Sequence, residues 1–102
     1  MKFRPLGIVK EIIEAIGMEV TYTYDDLVFI EPNTIIVQFD DKDKKNLNLY
    51  FNVDCEDAAA EKIEKKLNNA AVEREFSITN VGKFEMAQKK GVEEIEIRLL
   101  PF

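Results

Sequence analysis

The sequence predicts an α+β fold, two helices packed on a mostly antiparallel sheet in the order α-β-β-β-β-α-β-β-β, with the last part also readable as β-α-β. Three observations predict it. Apolar residues recur at helical spacing over residues 5 to 16, they alternate with period two in "LNLYFNV" at 47 to 53, and the charged, alanine-rich stretch from 54 to 69 returns to the helical period. With 102 residues, 46% hydrophobic content and no Gly/Ser/Pro-rich linker, the chain reads as one domain, 1–102, large enough to fold without a disulfide or a structural metal.

In the first helix Leu6, Ile8, Val9, Ile12, Ile13 and Ile16 form the apolar stripe, with Pro5 near the start. Gly17 suits the left-handed position after the helix, and Met18 can then touch Ile13 in a Schellman arrangement. "MEVTYTY" and "LVFI" flank Asp25-Asp26, and "TIIVQF" follows Pro32-Asn33, so three short antiparallel strands are expected. The fourth, "LNLYFNV", sets Leu47, Leu49, Phe51 and Val53 on a buried face and Asn48, Tyr50 and Asn52 on a wet one. Phe39 and Leu47 flank seven polar residues, Asp40 to Asn46, an odd number that keeps both on the same sheet face.

The second helix is expected over "DCEDAAAEKIEKKLNN", with Asp54 as N-cap, Asp57 completing a weak capping box and Cys55 at the first helical position. Glu56 and Asp57 suit the positive end of its dipole, and Lys65 and Lys66 the negative end. Its stripe, Ala59, Ala60, Ile63, Leu67 and Ala70, is narrow and small enough to sit close to a sheet. The remainder reads as a three-strand meander turned at "NVG" and "KKG", with Phe76, Ile78, Phe84, Met86, Ile95, Ile97 and Leu99 inward. The rival reading makes "KFEMAQKK" a short helix ended by Gly91.

Composition excludes more chemistry than it suggests. The chain has no histidine and one cysteine, so Ser-His-Asp and Cys-His catalysis, His-ligated metals and thiolate clusters within one chain are out of reach. Phosphate-cradling "GxxxxGK[ST]" and "GxGxxG" patterns are missing too, so no catalytic residue and no cofactor is expected. Cys55 has Asp54, Glu56 and Asp57 as neighbours, which disfavour a thiolate, and it reads as structural. Twenty acidic against fourteen basic residues give a net charge of −6, unfavourable for nucleic acid and for anionic membranes. From Glu11 to Asp41 there are eight carboxylates and no Lys or Arg. The lone cysteine fits a cytoplasmic setting, and the charged N-terminus reads as an amphipathic helix and not as a signal peptide.

Two loop clusters invite a metal reading. The loop from Asp41 fails the EF-hand pattern, with Lys45, Asn46 and Asn52 at its last three positions. Chain direction brings Asp25, Asp26, Asp40 and Asp41 to one end of the sheet beside Lys89-Lys90, with Pro32-Asn33 and Cys55 at the other, so those aspartates are a candidate oxygen site. Solvated loop charge is the plainer explanation, and no metal is assigned.

The strands "LVFI" and "TIIV" carry apolar side chains on both faces, because successive residues point opposite ways. A second covering is therefore expected. Two helices rarely cover both faces of a seven-stranded sheet, so either each helix takes one face or a second copy completes the burial; the preferred reading is a homodimer centred on Val28, Ile30, Ile36 and Tyr50, unless sheet curvature buries them internally. The expected function is a non-enzymatic, acidic protein-interaction domain, chaperone-like or an adaptor. The alternative is a small-molecule binder with Tyr22, Tyr24 and Tyr50 lining a pocket between helix and sheet.

The element order over residues 5 to about 80 resembles the type III secretion chaperone-like fold and the YbjN-like proteins that share it. The chain departs from that order in an extra central strand and in ending on "IEIRLLPF" where those chaperones finish in a helix. The resemblance implies a homodimer that holds a segment of another protein, and it assigns no residue a role.

Overall fold

A computed structural model describes residues 5–31, 34–88 and 95–102. Helix α1 (Leu6–Ala15) leads into strands β1 (Val20–Tyr24), β2 (Leu27–Ile30), β3 (Ile35–Phe39) and β4 (Asn46–Asn52). Helix α2 (Asp57–Val72) then precedes β5 (Ser77–Gln88) and β6 (Ile95–Pro101). The strands form one six-stranded sheet in chain order, antiparallel throughout except for β4–β5, which run parallel because α2 carries the chain back to the starting end. The α+β class and the order of elements are those the sequence predicts.

Helix α1 ends as its glycine dictates. The Gly17 N–H donates to Glu14 and the Met18 N–H to Ile13, at 3.0 and 3.1 Å, with Gly17 at φ +81°. That is the Schellman pair. Helix α2 uses the same device without the glycine: the Phe76 N–H reaches Ala71 and the Glu75 N–H reaches Val72, with Glu75 in the left-handed position at φ +62°. A side chain there costs roughly 1–2 kcal/mol. Glu75→Gly is therefore expected to raise stability by about 0.5–1 kcal/mol after the extra flexibility of the unfolded chain is subtracted, measured as a higher urea midpoint. A lower midpoint would show that Glu75 holds something else in place.

The start of α2 differs from expectation. Asp54 is not the N-cap; the Asn52 side chain accepts the Asp54 N–H at 2.8 Å and the Asn52 carbonyl accepts the Cys55 N–H, forming a turn that delays the helix. Glu56 caps it by backbone alone, so Cys55 lies ahead of the helix and not at its first position. The helix also runs on to Val72, which leaves Lys65 and Lys66 in its interior and no basic residue in the last turn.

The stretch expected as two strands joined by "NVG" is one strand, β5, and the helical alternative for "KFEMAQ" is likewise replaced by strand, so the sheet has six strands where seven were expected. At "NVG" the register slips: Asn80 pairs with Leu49 but Gly82 pairs with Tyr50, which makes Val81 the extra residue of a bulge. The "KKG" turn, Lys89-Lys90, Gly91 and Pro32-Asn33 lie outside the described residues.

The sheet carries a core on each face. Toward the helices lie Val9, Ile12 and Ile13 of α1, Leu67, Ala70 and Ala71 of α2, and Val28, Ile30, Ile35, Val37, Phe39, Leu47, Leu49 and Phe51 of the sheet. Phe39 and Leu47 pair directly and share that face, as the odd loop between them requires. On the other face Phe29, Ile36, Tyr50 and Phe84 are buried, flanked by Leu27, Val81, Met86, Ile97 and Leu99. The bulge makes this second core. It reverses the alternation of β5, so that Ile78 packs on the helix side while Phe84 and Met86 join Tyr50 opposite, instead of all pointing one way as expected.

Candidate functional site

The four residues expected at the centre of a dimer do not form one patch. Val28 and Ile30 face the helices, Ile36 and Tyr50 face away, and their exposures run only from 0 to 7%. The connection between β2 and β3 explains the split. Ile30 pairs with Ile35 across four residues, 31–34, and an even connection makes residues of opposite parity share a face. Ile36 therefore groups with Phe29, its partner, and Ile30 groups with Ile35. The demand for a second covering is real, but the curl of the same chain meets it, with β5 and β6 supplying Phe84, Ile97 and Leu99 to the second core.

Tyr50, expected on a wet face, is buried there; its hydroxyl donates to Gln38 Oε1 at 3.3 Å. Burial pushes its phenol above the ordinary tyrosine value, and the nearby Asp26 carboxylate adds to the shift. Tyr22 and Tyr24 lie on the same side of the sheet as Phe29 and Leu27, their register partners, and the Tyr22 ring stands 5.8 Å from that of Phe29. No tyrosine therefore sits between helix and sheet. The cleft of about 310 Å³ there is lined by Phe51, Cys55, Ala60, Glu64, Asn80 and Lys83 among others. Two polar pairs form within it: Asn80 Nδ2 donates to Glu64 at 2.8 Å and Lys83 lies 3.6 Å from Asp57.

The aspartate loops are scaffolding. Asp40 accepts the Lys42 and Asp43 N–H groups at 2.9 and 3.2 Å and the Asn46 amide at 3.1 Å. The Lys42 N–H first, and the Asn46 amide next, hold its carboxyl below the usual aspartate value. Asp26 accepts the Gln38 amide at 2.9 Å. Among the described residues no group of three or more His, Cys, Asp or Glu could hold a metal ion.

What remains open is an edge. In β1 residues 21–24 are all exposed, with Tyr22 at 60% and Tyr24 at 65%, and among the described residues only β2 pairs with the strand. The ladder fixes which backbone groups face outward. The Phe39 N–H donates to the Asp26 carbonyl, so pairing between β2 and β3 is hydrogen-bonded at Val28 and not at Leu27. Val28 therefore turns its backbone groups to β3, and its β1 partner Thr23 directs its own N–H and C=O away from the sheet.

Sequence reasoning placed the tyrosines of this strand in a pocket because it weighed side chains and not unpaired backbone. The signal was present in "VTYTY": five strand-forming residues with no charge and no proline, the devices that normally blunt an edge. The opposite edge is blunted, since β6 carries Pro101 and an Arg98 that bridges Glu85 and Glu96 at 3.6 and 3.4 Å. No described helix is long and apolar enough to cross a membrane. The chain has no match among protein-family models, curated proteins or solved structures.

Proposed function

We propose that the chain is a non-enzymatic interaction domain that takes up an extended segment of another polypeptide along the outer edge of β1. The observation that supports it is the uncharged, exposed edge with Thr23 presenting a backbone donor and acceptor together. An added strand would lay alternate side chains over Tyr22 and Tyr24, whose rings supply contact area at low entropy cost. The resemblance to the secretion chaperone-like fold fits this role. The cytoplasmic setting expected from the lone Cys55 belongs to the same reading. Homodimerisation through Val28, Ile30, Ile36 and Tyr50 forms no part of it, because those side chains are buried within one chain.

Thr23→Pro tests the role. A proline at this edge position removes the outward N–H without touching the β1–β2 ladder, so the fold should survive while an added strand loses its anchor. Peptides selected from a random display library are expected to bind the wild-type chain and to lose at least about tenfold in affinity on Thr23→Pro, the scale of a lost hydrogen bond plus strand distortion. Recovery of binders indifferent to Thr23→Pro, with circular dichroism unchanged, would overturn the proposal.

A further inference from the structure

The β1 edge is bracketed by acid. Glu19 precedes it and Glu31 lies beside Glu19, its N–H bonded to the Glu19 carbonyl at 3.0 Å; the Asp25-Asp26 turn closes the far end. Among the described residues no basic side chain pairs with Glu19 or Glu31. A cleft of about 530 Å³ at the start of the strand, between it and the end of α1, is lined by Glu19 and by a Lys10–Glu14 pair, 3.9 Å apart, whose charges offset one another.

This charge decides which occupant the edge accepts. Two copies joined edge to edge by a two-fold axis would run antiparallel, and a register centred on β1, with Tyr22 against Tyr22, would set Glu19 of one copy against Asp25 of the other. Like charges directly opposed across strands are destabilising, and here they would meet at both ends of the pairing. A second copy is therefore disfavoured by the same residues that would attract a basic one. Resting on the strand-addition reading, we infer that the partner segment is a short run of β-branched or aromatic residues with Lys or Arg at each end, held by backbone pairing at Thr23 and oriented by Glu19 and Glu31 at one end and the Asp25-Asp26 turn at the other.

Two fluorescent peptides test it, each with a Val-Thr-Val-Thr-Val centre, one flanked by two lysines and the other by two glutamates at each end. By anisotropy the lysine-flanked peptide is expected to bind about 3- to 10-fold more tightly in low salt, the size that a few exposed ion pairs give, with the preference shrinking in ~0.5 M salt. Glu19→Lys with Glu31→Lys should reduce the preference by about half or more, leaving the share due to the Asp25-Asp26 turn, and Thr23→Pro should abolish binding. Equal affinity for the two peptides, both lost on Thr23→Pro, would overturn the charge assignment and leave strand addition standing. A lysine preference that survives Thr23→Pro would be general attraction to a chain of net charge −6 and would overturn both. So would the absence of binding by either peptide. A dimer in size-exclusion chromatography that Thr23→Pro dissolves would make a second copy the occupant and overturn the basic-segment assignment alone.

Discussion

Phe84→Ala is expected to lower the free energy of unfolding by about 3–5 kcal/mol, the cost of emptying a fully buried aromatic site. Phe84 is 0% exposed and is the largest of the fully buried side chains among the described residues. It packs with Phe29, Ile36 and Tyr50, residues that β2, β3 and β4 turn away from the helices, so its removal opens a cavity between the middle of the sheet and the strands that curl over it. Since a domain of this size is stable by only ~5–15 kcal/mol, the loss is a large share of the whole. In urea the midpoint should fall with the slope nearly unchanged. Val72→Ala, at a position 69% exposed, should cost no more than about 0.5 kcal/mol and serves as the control. A Phe84→Ala midpoint as mild as that control would mean that the second core contributes little, and the closure of the chain over that face would have to be abandoned.

Gly82→Ala is expected to cost about 3 kcal/mol or more, although it adds a single methyl group. Gly82 pairs with Pro101, and a Cβ built on it would stand 2.6 Å from the Pro101 Cα and closer still to the Leu100 carbonyl oxygen. These are backbone atoms, which cannot swing aside as a side chain would. Its φ of +157° lies at the limit of what an L-residue adopts, so overpacking and backbone strain act together. Gly7 in α1 provides the contrast: a Cβ there meets nothing within 4 Å, and Gly7→Ala should stabilise by about 0.5–1 kcal/mol through helix propensity. Thermal or urea unfolding of the two variants side by side separates a general response to losing glycine from the specific clash. A Gly82→Ala protein as stable as wild type would show that β6 can move off β5 at no cost.

Local chemistry was legible in the sequence where one residue type has one meaning. Gly17 announced the end of α1, the alternation of Leu47, Leu49 and Phe51 announced β4, and the odd loop fixed the Phe39–Leu47 pair. Legibility failed where two structures need the same residues. "NVG" serves a hairpin turn or a strand bulge equally well, because both want a permissive glycine, and the choice rests on whether α2 delivers the next strand parallel to β4. The end of α2 was hidden because Glu75, and not glycine, holds the left-handed position. The split of Val28 and Ile30 from Ile36 and Tyr50 turns on the parity of the 31–34 connection, which residue preferences at Pro32-Asn33 do not reveal. Residues with apolar neighbours on both faces were correctly seen to need two coverings. What strand patterns could not show was that one bulge lets a single long strand contribute to both.

The parallel ladder has a kinetic meaning. Asn46 and Ser77 meet although they are 31 residues apart, so β5 cannot begin to zip onto β4 until the intervening helix has folded back. Closing such a span costs more chain entropy than the tight connections among β1 to β4, which are free to assemble early. Among the described residues β6 pairs only with β5, which makes it an edge of the sheet. A strand held by one neighbour can open locally at a lower free energy than strands paired on both sides. Transient detachment of β6 would bare Phe84 and Tyr50 to solvent, so a local opening of this chain would expose the second core without global unfolding.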